Sequence, residues 1–527
     1  MQMLRLKRFV PFLYLPLLLL TMMGCQLFSP AKTITVLAGS ELKDIEPLLD
    51  DIEQATGVRL AFEYIGTLDG AEALLSGQNA NYDLAWFSHG RYLSLLEQER
   101  GLIVTQEKTM LSPVVLGVKE SKARQFGWLD NPQVTWQDIA DKAAADDLRY
   151  AMTNPAASNS GFTALVGVAA ALSGARDALE VGDINAVAMQ DFFRGQKLTA
   201  GSSGWLAESY VASQDNLDGM INYESVLLGL NESGELREKL TLIYPQEGII
   251  TADYPLMLLN SAKRAEYDTL ITYLRSPEFQ KKLMTTTLRR PVIPGVPLDP
   301  RIPDPLLVEL PFPNTVEVLN SLIFAYLDEQ RVPAHAYFVL DVSGSMRGEG
   351  LADLKTAVNN LTGLDTSLTG QFSRFRAREQ ITILTFNDFV NPGNDFTIDD
   401  TNPQGKDMTQ IRGFVDDLEA QGGTAVYDAL QEAYRQALAA QTADPDRYYT
   451  IVLMSDGENT DGMNAHDFAD FYRHLPPEAH NIRTFTVLFG NADEAAMQEI
   501  ADITGGRMFD GTQDALSLIF KQIRGYQ

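Results

Sequence analysis

A chain of 527 residues is too long for one ordinary hydrophobic core, and its 45% content of hydrophobic residues suffices for two or three domains. Forty-two basic residues against seventy acidic ones leave a formal charge of -28. That charge repels phosphate backbones and anionic surfaces at long range, so nucleic acid is not an expected partner, and it keeps a protein soluble in an exposed compartment.

The first residues read as an export address. MQMLRLKRF carries Arg5, Lys7 and Arg8; the apolar run VPFLYLPLLLLTMM follows, interrupted by Pro11 and Pro16, and ends at Gly24 and Cys25. The run is short for a bilayer span, which needs about 20 residues. Cys25 is the single cysteine of the chain, which excludes an intramolecular disulfide. On the residues alone, an ordinary secretory signal with an incidental cysteine stays open. MMGCQ resembles the lipobox of bacterial lipoproteins, which implies a signal peptide over 1–24, acylation of Cys25 and a tether over 25–32. The chain would then be anchored to a bacterial membrane of the cell envelope, facing the periplasm or the exterior, each buried methylene of the anchor contributing about 0.8 kcal/mol.

From about residue 33 to 300, strand-like and helix-like pieces alternate. TITVLAG and VRLAFEYIG read as buried strands, and the segment between them places Leu42, Ile45, Leu48, Leu49 and Ile52 on one helical face. YDLAWFS, SPVVLGVKE and RYAMTNP repeat the strand pattern, which predicts a mostly parallel α/β sheet with ligands gathered at strand ends. The residues there are small and polar: Gly39, Ser40, Ser88, His89, Asn154, Ser158, Asn159 and Ser160. The serine-rich turn before FTALVGVAAAL is either a plain helix cap or an anion-receiving helix start. His89 has no acidic or cysteine neighbour in sequence and reads as a bystander. TITVLAG, YDLAWFS, SPVVLGVKE, NPAASNSGFTAL and MINYESVLLGLN, in that order, resemble a type II periplasmic solute-binding protein. That likeness implies two lobes closing on a small-molecule solute, with Ser40, Ser88, Ser158, Asn159, Ser203 and Tyr223 lining the cleft.

Prolines at 291, 294, 297, 300, 303, 305, 311 and 313 mark a stiff, extended linker. Within the connector, 301–332, Val318, Leu319, Leu322, Ile323 and Tyr326 form one helical stripe, predicting a helix packed on one neighbour.

From about Pro333 to Gln527, AYFVLDV, QITILTF, YTIVLMSDGE and RTFTVLFG read as strands buried on both faces, and helical segments between them predict a doubly wound sheet. Asp341 and Asp456 then fall at strand ends and Thr424 at a glycine-rich helix entry. With Ser343 and Ser345 of DVSGSM they converge at a switch in strand order. Five oxygen donors, two of them carboxylates, suit a hard cation that keeps part of its water shell, Mg²⁺ or Mn²⁺. Ser455 and Glu458 read as ordinary loop polarity. DVSGSM, GGTAVYDAL and LMSDGEN resemble the metal-ion-dependent adhesion site of a von Willebrand factor type A domain. In that family Ser343, Ser345 and Thr424 would contact the metal directly or through water, and Asp341 and Asp456 would anchor waters.

The expected fold class is α/β, a two-lobed periplasmic-binding-protein-like domain followed by a doubly wound, Rossmann-like domain. The expected function is capture of a protein partner through a metal-bound carboxylate, with the first domain as sensor or second binding module. A solute receptor of an ABC-type uptake system is the alternative. An enzyme is not expected: no GxSxG, HExxH or SxxK stretch lies in suitable context, and five histidines supply few bases.

Overall fold

The computed structural model of the chain describes residues 32–527 apart from 77–80, 98–99, 176, 491 and 513–514. The export segment and Cys25 lie outside the described residues. Among the described residues no helix is long and apolar enough to cross a membrane.

Three sheets organise the chain. The first, of five strands, runs in the order Val58–Ile65, Lys32–Gly39, Leu84–Trp86, Pro255–Leu258, Thr105–Lys108. Its first three strands are parallel, as the alternation of strand and helix predicts, and the helical stretch between them buries Leu42, Ile45, Leu48 and Ile52. The second sheet runs Thr251–Ala252, Ser112–Lys119, Gly219–Tyr223, Tyr150–Thr153, Gln196–Ala200, with Leu240–Ile243 also on Ser112–Lys119. The two sheets are the two lobes of the first domain. Both are mixed, which corrects the expectation of a mostly parallel sheet. Ser112–Lys119 and Pro255–Leu258 each follow a crossing from the opposite lobe, and both run antiparallel to their neighbours. Hydropathy registers burial in such a strand but not its direction.

The third sheet forms the second domain, in the order Asn394–Thr397, Gln380–Phe386, Ala334–Asp341, Tyr448–Ser455, Arg483–Leu488, Arg507–Asp510. All pairs are parallel except the edge Asn394–Thr397. Every residue of Ala334–Asp341 is buried, because helix Val426–Ala443 covers one face while helices Glu349–Asn359 and Leu516–Arg524 cover the other. The chain leaves this strand toward one edge and later returns to build toward the other. The switch point therefore lies between the ends of Ala334–Asp341 and Tyr448–Ser455.

The proline-rich stretch forms no helix but bends and turns at 292–295 and 300–302, which corrects the expectation of a stiff, extended linker, and the connecting helix forms at Val316–Ala325, capped by the Thr315 hydroxyl. It packs on both neighbours rather than one. It lies on helix Asn159–Ser173 and helix Arg91–Glu97 of the first domain, while Phe324 stands edge-on to Phe372 of the second. Its stripe, Val318, Leu319, Leu322 and Ile323, is buried, as is Tyr326.

The junction then closes on one carboxylate. Glu379 has no exposed surface; Arg524 Nη2 donates to both its oxygens at 2.8 and 2.7 Å, Arg331 Nη2 donates to Oε1, and the Arg376 backbone N–H donates at 2.9 Å. Burial alone would raise its pKa. The guanidiniums of Arg524 and Arg331 outweigh burial and hold it below the ordinary carboxylate range. Its contribution is complete above the unfolded value of about 4.3 and fades as pH falls through the lower folded value. Glu379→Gln, which leaves two buried guanidiniums uncompensated, should cost about 3–5 kcal/mol at neutral pH. The loss should shrink in urea titrations at successively lower pH, and an equal penalty at every pH would mean the charge does not hold the junction.

Candidate functional site

The strand Ala334–Asp341 ends with its last side chain fully enclosed. Asp341 Oδ1 accepts from the Ser343 backbone N–H at 2.7 Å, and Oδ2 accepts from the Ser455 hydroxyl at 2.5 Å. Burial raises its pKa above the usual value, the two serines oppose that, and the nearby Asp456 carboxylate adds to it. From Asp341 a chain of oxygens leads outward. Ser343 Oγ lies 2.9 Å from Ser345 Oγ, which donates to Asp456 Oδ1 at 2.7 Å. Ser345 is exposed, so the constellation opens to solvent.

Thr424 comes from a third segment. A β-carbon added at Gly457 would stand 3.4 Å from Ser345 Oγ and 3.5 Å from Thr424 Oγ1, which places both hydroxyls beside that glycine. Backbone bonds fix the loops to one another: Gly344 N–H to Gly422 O at 3.0 Å, Gln421 N–H to Val342 O at 2.8 Å, and Thr460 N–H to Thr424 O at 2.9 Å. The five residues read from the sequence as metal-site donors thus stand together. Among the described residues no group of three or more His, Cys, Asp or Glu stands where it could hold a metal. The donor set is instead three hydroxyls and two carboxylates, all oxygen, which fits a hard cation that retains water.

Ser455 is the residue sequence reasoning set aside. Leu340 pairs with Met454 across the two parallel strands, so the next positions, Asp341 and Ser455, lie opposite each other. That register was the available signal. Glu458 is exposed in the following loop, in keeping with ordinary loop polarity.

The cleft between the lobes also gathers its expected residues, but they bind one another. Tyr223 of the second lobe donates its hydroxyl to Ser88 Oγ of the first at 3.0 Å and accepts from Asn159 Nδ2 at 3.1 Å. Ser203 Oγ lies 2.7 Å from Ser160 Oγ, and Ser158 Oγ lies 3.3 Å from the same atom. Ser158 makes no side-chain cap to helix Asn159–Ser173. Ser160, which also meets Thr153 Oγ1 at 2.8 Å, is the hub of this network. Ser40 is half-buried and faces a chamber of about 980 Å³ above it, with Ser203, Glu41 and Arg289. Glu41 Oε1 accepts from the Ser88 N–H at 3.1 Å, and the buried Arg289 pairs with Asp44 at 2.6 Å over the Tyr254 ring. His89 stacks on Phe312 of the linker at 5.1 Å, and burial lowers its pKa to about 4, so it is a neutral packing residue.

Residues 34–286 match the family model for bacterial extracellular solute-binding proteins, and residues 336–522 match that of the von Willebrand factor type A domain. The chain thus carries a solute-binding domain followed by a von Willebrand factor type A domain. Similar solved structures include the periplasmic binding protein AfuA from Actinobacillus pleuropneumoniae with fructose-6-phosphate bound, at 15% identity and TM-score 0.44, covering 57% of this chain and 99% of that one. Trichodesmium IdiA (FutA) in complex with iron and citrate is similar at 15% identity and TM-score 0.42, covering 56% and 98%. Curated relatives match over less than a third of the chain. The uncharacterized protein sll0103 of Synechocystis sp. is 27% identical over 154 residues, 29% of this chain and 32% of that protein. Inter-alpha-trypsin inhibitor heavy chain H2 of Mesocricetus auratus is 27% identical over 157 residues, 28% of this chain and 15% of that protein. The matched region spans a third or less of those relatives.

Ser455→Ala leaves a buried Asp341 oxygen without its donor. It should cost about 1–3 kcal/mol in chemical unfolding of the full chain and, if the constellation holds a divalent cation, weaken that binding about 10- to 100-fold in calorimetry. Unchanged stability and affinity would reduce Ser455 to loop polarity.

Proposed function

We propose that this protein is a lipid-anchored, extracytoplasmic binding protein, not an enzyme, that captures a protein partner through a Mg²⁺- or Mn²⁺-dependent adhesion site. One observation carries the reading: Asp341, Ser343, Ser345, Thr424 and Asp456, from three separated segments, meet at the switch point of a sheet, with Ser345 facing solvent. A bound cation would supply an electrophilic position for a partner's carboxylate. Ser343, Ser345 and Thr424 would hold it with neutral oxygens, so it would keep residual positive character; Asp341 and Asp456 would anchor its waters. Asp341 is held by Ser455 and the Ser343 N–H, which prepares its orientation before any cation arrives.

The solute-binding domain serves as a sensor or second module in this reading. A role as solute receptor of an ABC-type uptake system is the second reading, favoured by the chamber of about 980 Å³ that Ser40 and Ser203 line. Cys25 is the proposed membrane attachment, and Cys25→Ser should leave the protein unprocessed or released from the membrane fraction; unchanged lipid labelling would overturn the anchor.

The capture reading is tested by pull-down from envelope extract with Mg²⁺ and with chelator. A partner should be retained with Mg²⁺ alone, weakly by Thr424→Ala, which loses one neutral donor, and not at all by Asp341→Ala. Ca²⁺ should substitute poorly, because it takes six to eight oxygens at longer distances and the site offers two carboxylates. Equal retention with chelator, or by Asp341→Ala, would contradict metal-dependent capture.

A further inference from the structure

The chamber of about 980 Å³ has walls from three bodies: Glu41 and Arg289 on the first lobe, Asn154 and Ser203 on the second, and Lys521 and Tyr526 at helix Leu516–Arg524 of the von Willebrand factor type A domain. The second domain therefore closes a cleft that belongs to the first. It is also tied to both lobes by a continuous line of contacts.

On the first lobe, the Glu72 carboxylate accepts from the backbone N–H of Leu368 at 2.8 Å, from that of Thr369 at 3.2 Å and from the Thr369 hydroxyl. The same turn is fastened to helix Leu516–Arg524: Lys521 Nζ pairs with Asp365 at 2.6 Å and donates to Ser367 Oγ at 3.0 Å. In the same last turn of that helix Arg524 is locked to the buried Glu379. Just beyond, the second lobe receives Gly525 and Tyr526 at very close range. A β-carbon at Gly201 would stand 2.9 Å from the Tyr526 ring, one at Gly525 would stand 2.8 Å from Ala157 Cβ, and Trp205 meets the Tyr526 ring edge-on at 4.6 Å. The second lobe is further joined by Tyr448, whose hydroxyl donates to Gln196 O at 2.6 Å, and by Tyr326, which packs on Phe193 at 4.8 Å.

The two attachments differ in kind. The second lobe is held by packed rings and glycine contacts that admit no gap. The first lobe reaches the domain through polar groups of helix Thr67–Ser76, the half-buried Glu72 on the Leu368–Thr369 turn and Asp69 beside Lys521 and Thr369, each hydrogen bond contributing about 1 kcal/mol net. Between the lobes themselves, Ser88 and Tyr223 are already in contact and buried. The arrangement is closed, with the cleft hydroxyls satisfied by each other.

We propose that the von Willebrand factor type A domain is an interlock on the solute-binding lobes: it is fixed to the second lobe and clips the first lobe shut through Glu72, so the lobes part only when that clip opens. Access to the chamber is then controlled by the second domain and not by the hinge between the lobes alone.

Double electron–electron resonance on the full chain tests this without metal or solute, so the outcome stands apart from the proposed function. Spin labels go on two exposed positions, Gln54→Cys on the first lobe and Asn216→Cys on the second, in a Cys25→Ser background. The parent should give one narrow distance, with any open state at or below about a tenth of the molecules. Glu72→Ala should add a distinct, longer population. Thr369→Ala, which removes only the hydroxyl donor, should add a smaller amount of the same population, and it carries the test if Glu72→Ala does not fold. Distance distributions identical to the parent in the folded variants would overturn the interlock.

Discussion

A carboxylate with no exposed surface, Glu379, fastens the end of the connector to the second domain. It sits just before strand Gln380–Phe386, between Arg331 from the end of the connector and Arg524 from helix Leu516–Arg524. Taking three charges out of water is costly, and the cost is met only while both guanidiniums and the Arg376 N–H stay in place. Such a site tolerates little displacement. The strand it precedes pairs with Ala334–Asp341, and its Phe386 O accepts from the Val342 N–H, framing the DVSGSM loop. The helix it holds forms a wall of the chamber. One buried ionic contact thus adjoins both the strand that frames the DVSGSM loop and the helix that walls the chamber.

The two sites treat their polar groups in opposite ways. At the switch point the hydroxyls of Ser343 and Ser345 form a short line ending at Asp456, with Ser345 exposed. In the cleft, Ser88, Asn159, Ser158, Ser203 and Tyr223 are buried and paired with one another or with Ser160. Buried hydroxyls that satisfy each other stabilise a closed arrangement and leave little to gain from a ligand at that depth. The open space of the cleft is the chamber that Glu41, Arg289 and the second domain line.

Much of this was legible along the chain because burial on both faces of a strand leaves an uninterrupted apolar run. AYFVLDV and YTIVLMS declare their strands, and the polar residues directly after them mark the strand ends where Asp341 and Asp456 stand. The connecting helix was legible from its stripe, but a stripe does not say how many neighbours it meets, and Phe324 turns a second face to Phe372. Ser455 was underweighted because its role arises from parallel register with Asp341, a relation between residues more than 100 positions apart. Glu72, Glu41 and Arg289 carried no local signal. Each matters through a partner that only the packing of lobes and domains supplies, and strand direction in the mixed sheets was hidden for the same reason.

The central claim, that the constellation at the switch point is a cation site, is tested most directly by anomalous diffraction from crystals of the full chain soaked in Mn²⁺. One strong peak is expected among Ser343, Ser345 and Thr424, within direct or water-mediated reach of Asp341 and Asp456, and it should be lost in Asp341→Ala. A Mn²⁺ peak elsewhere with none at DVSGSM, or a peak that persists in Asp341→Ala, would contradict it.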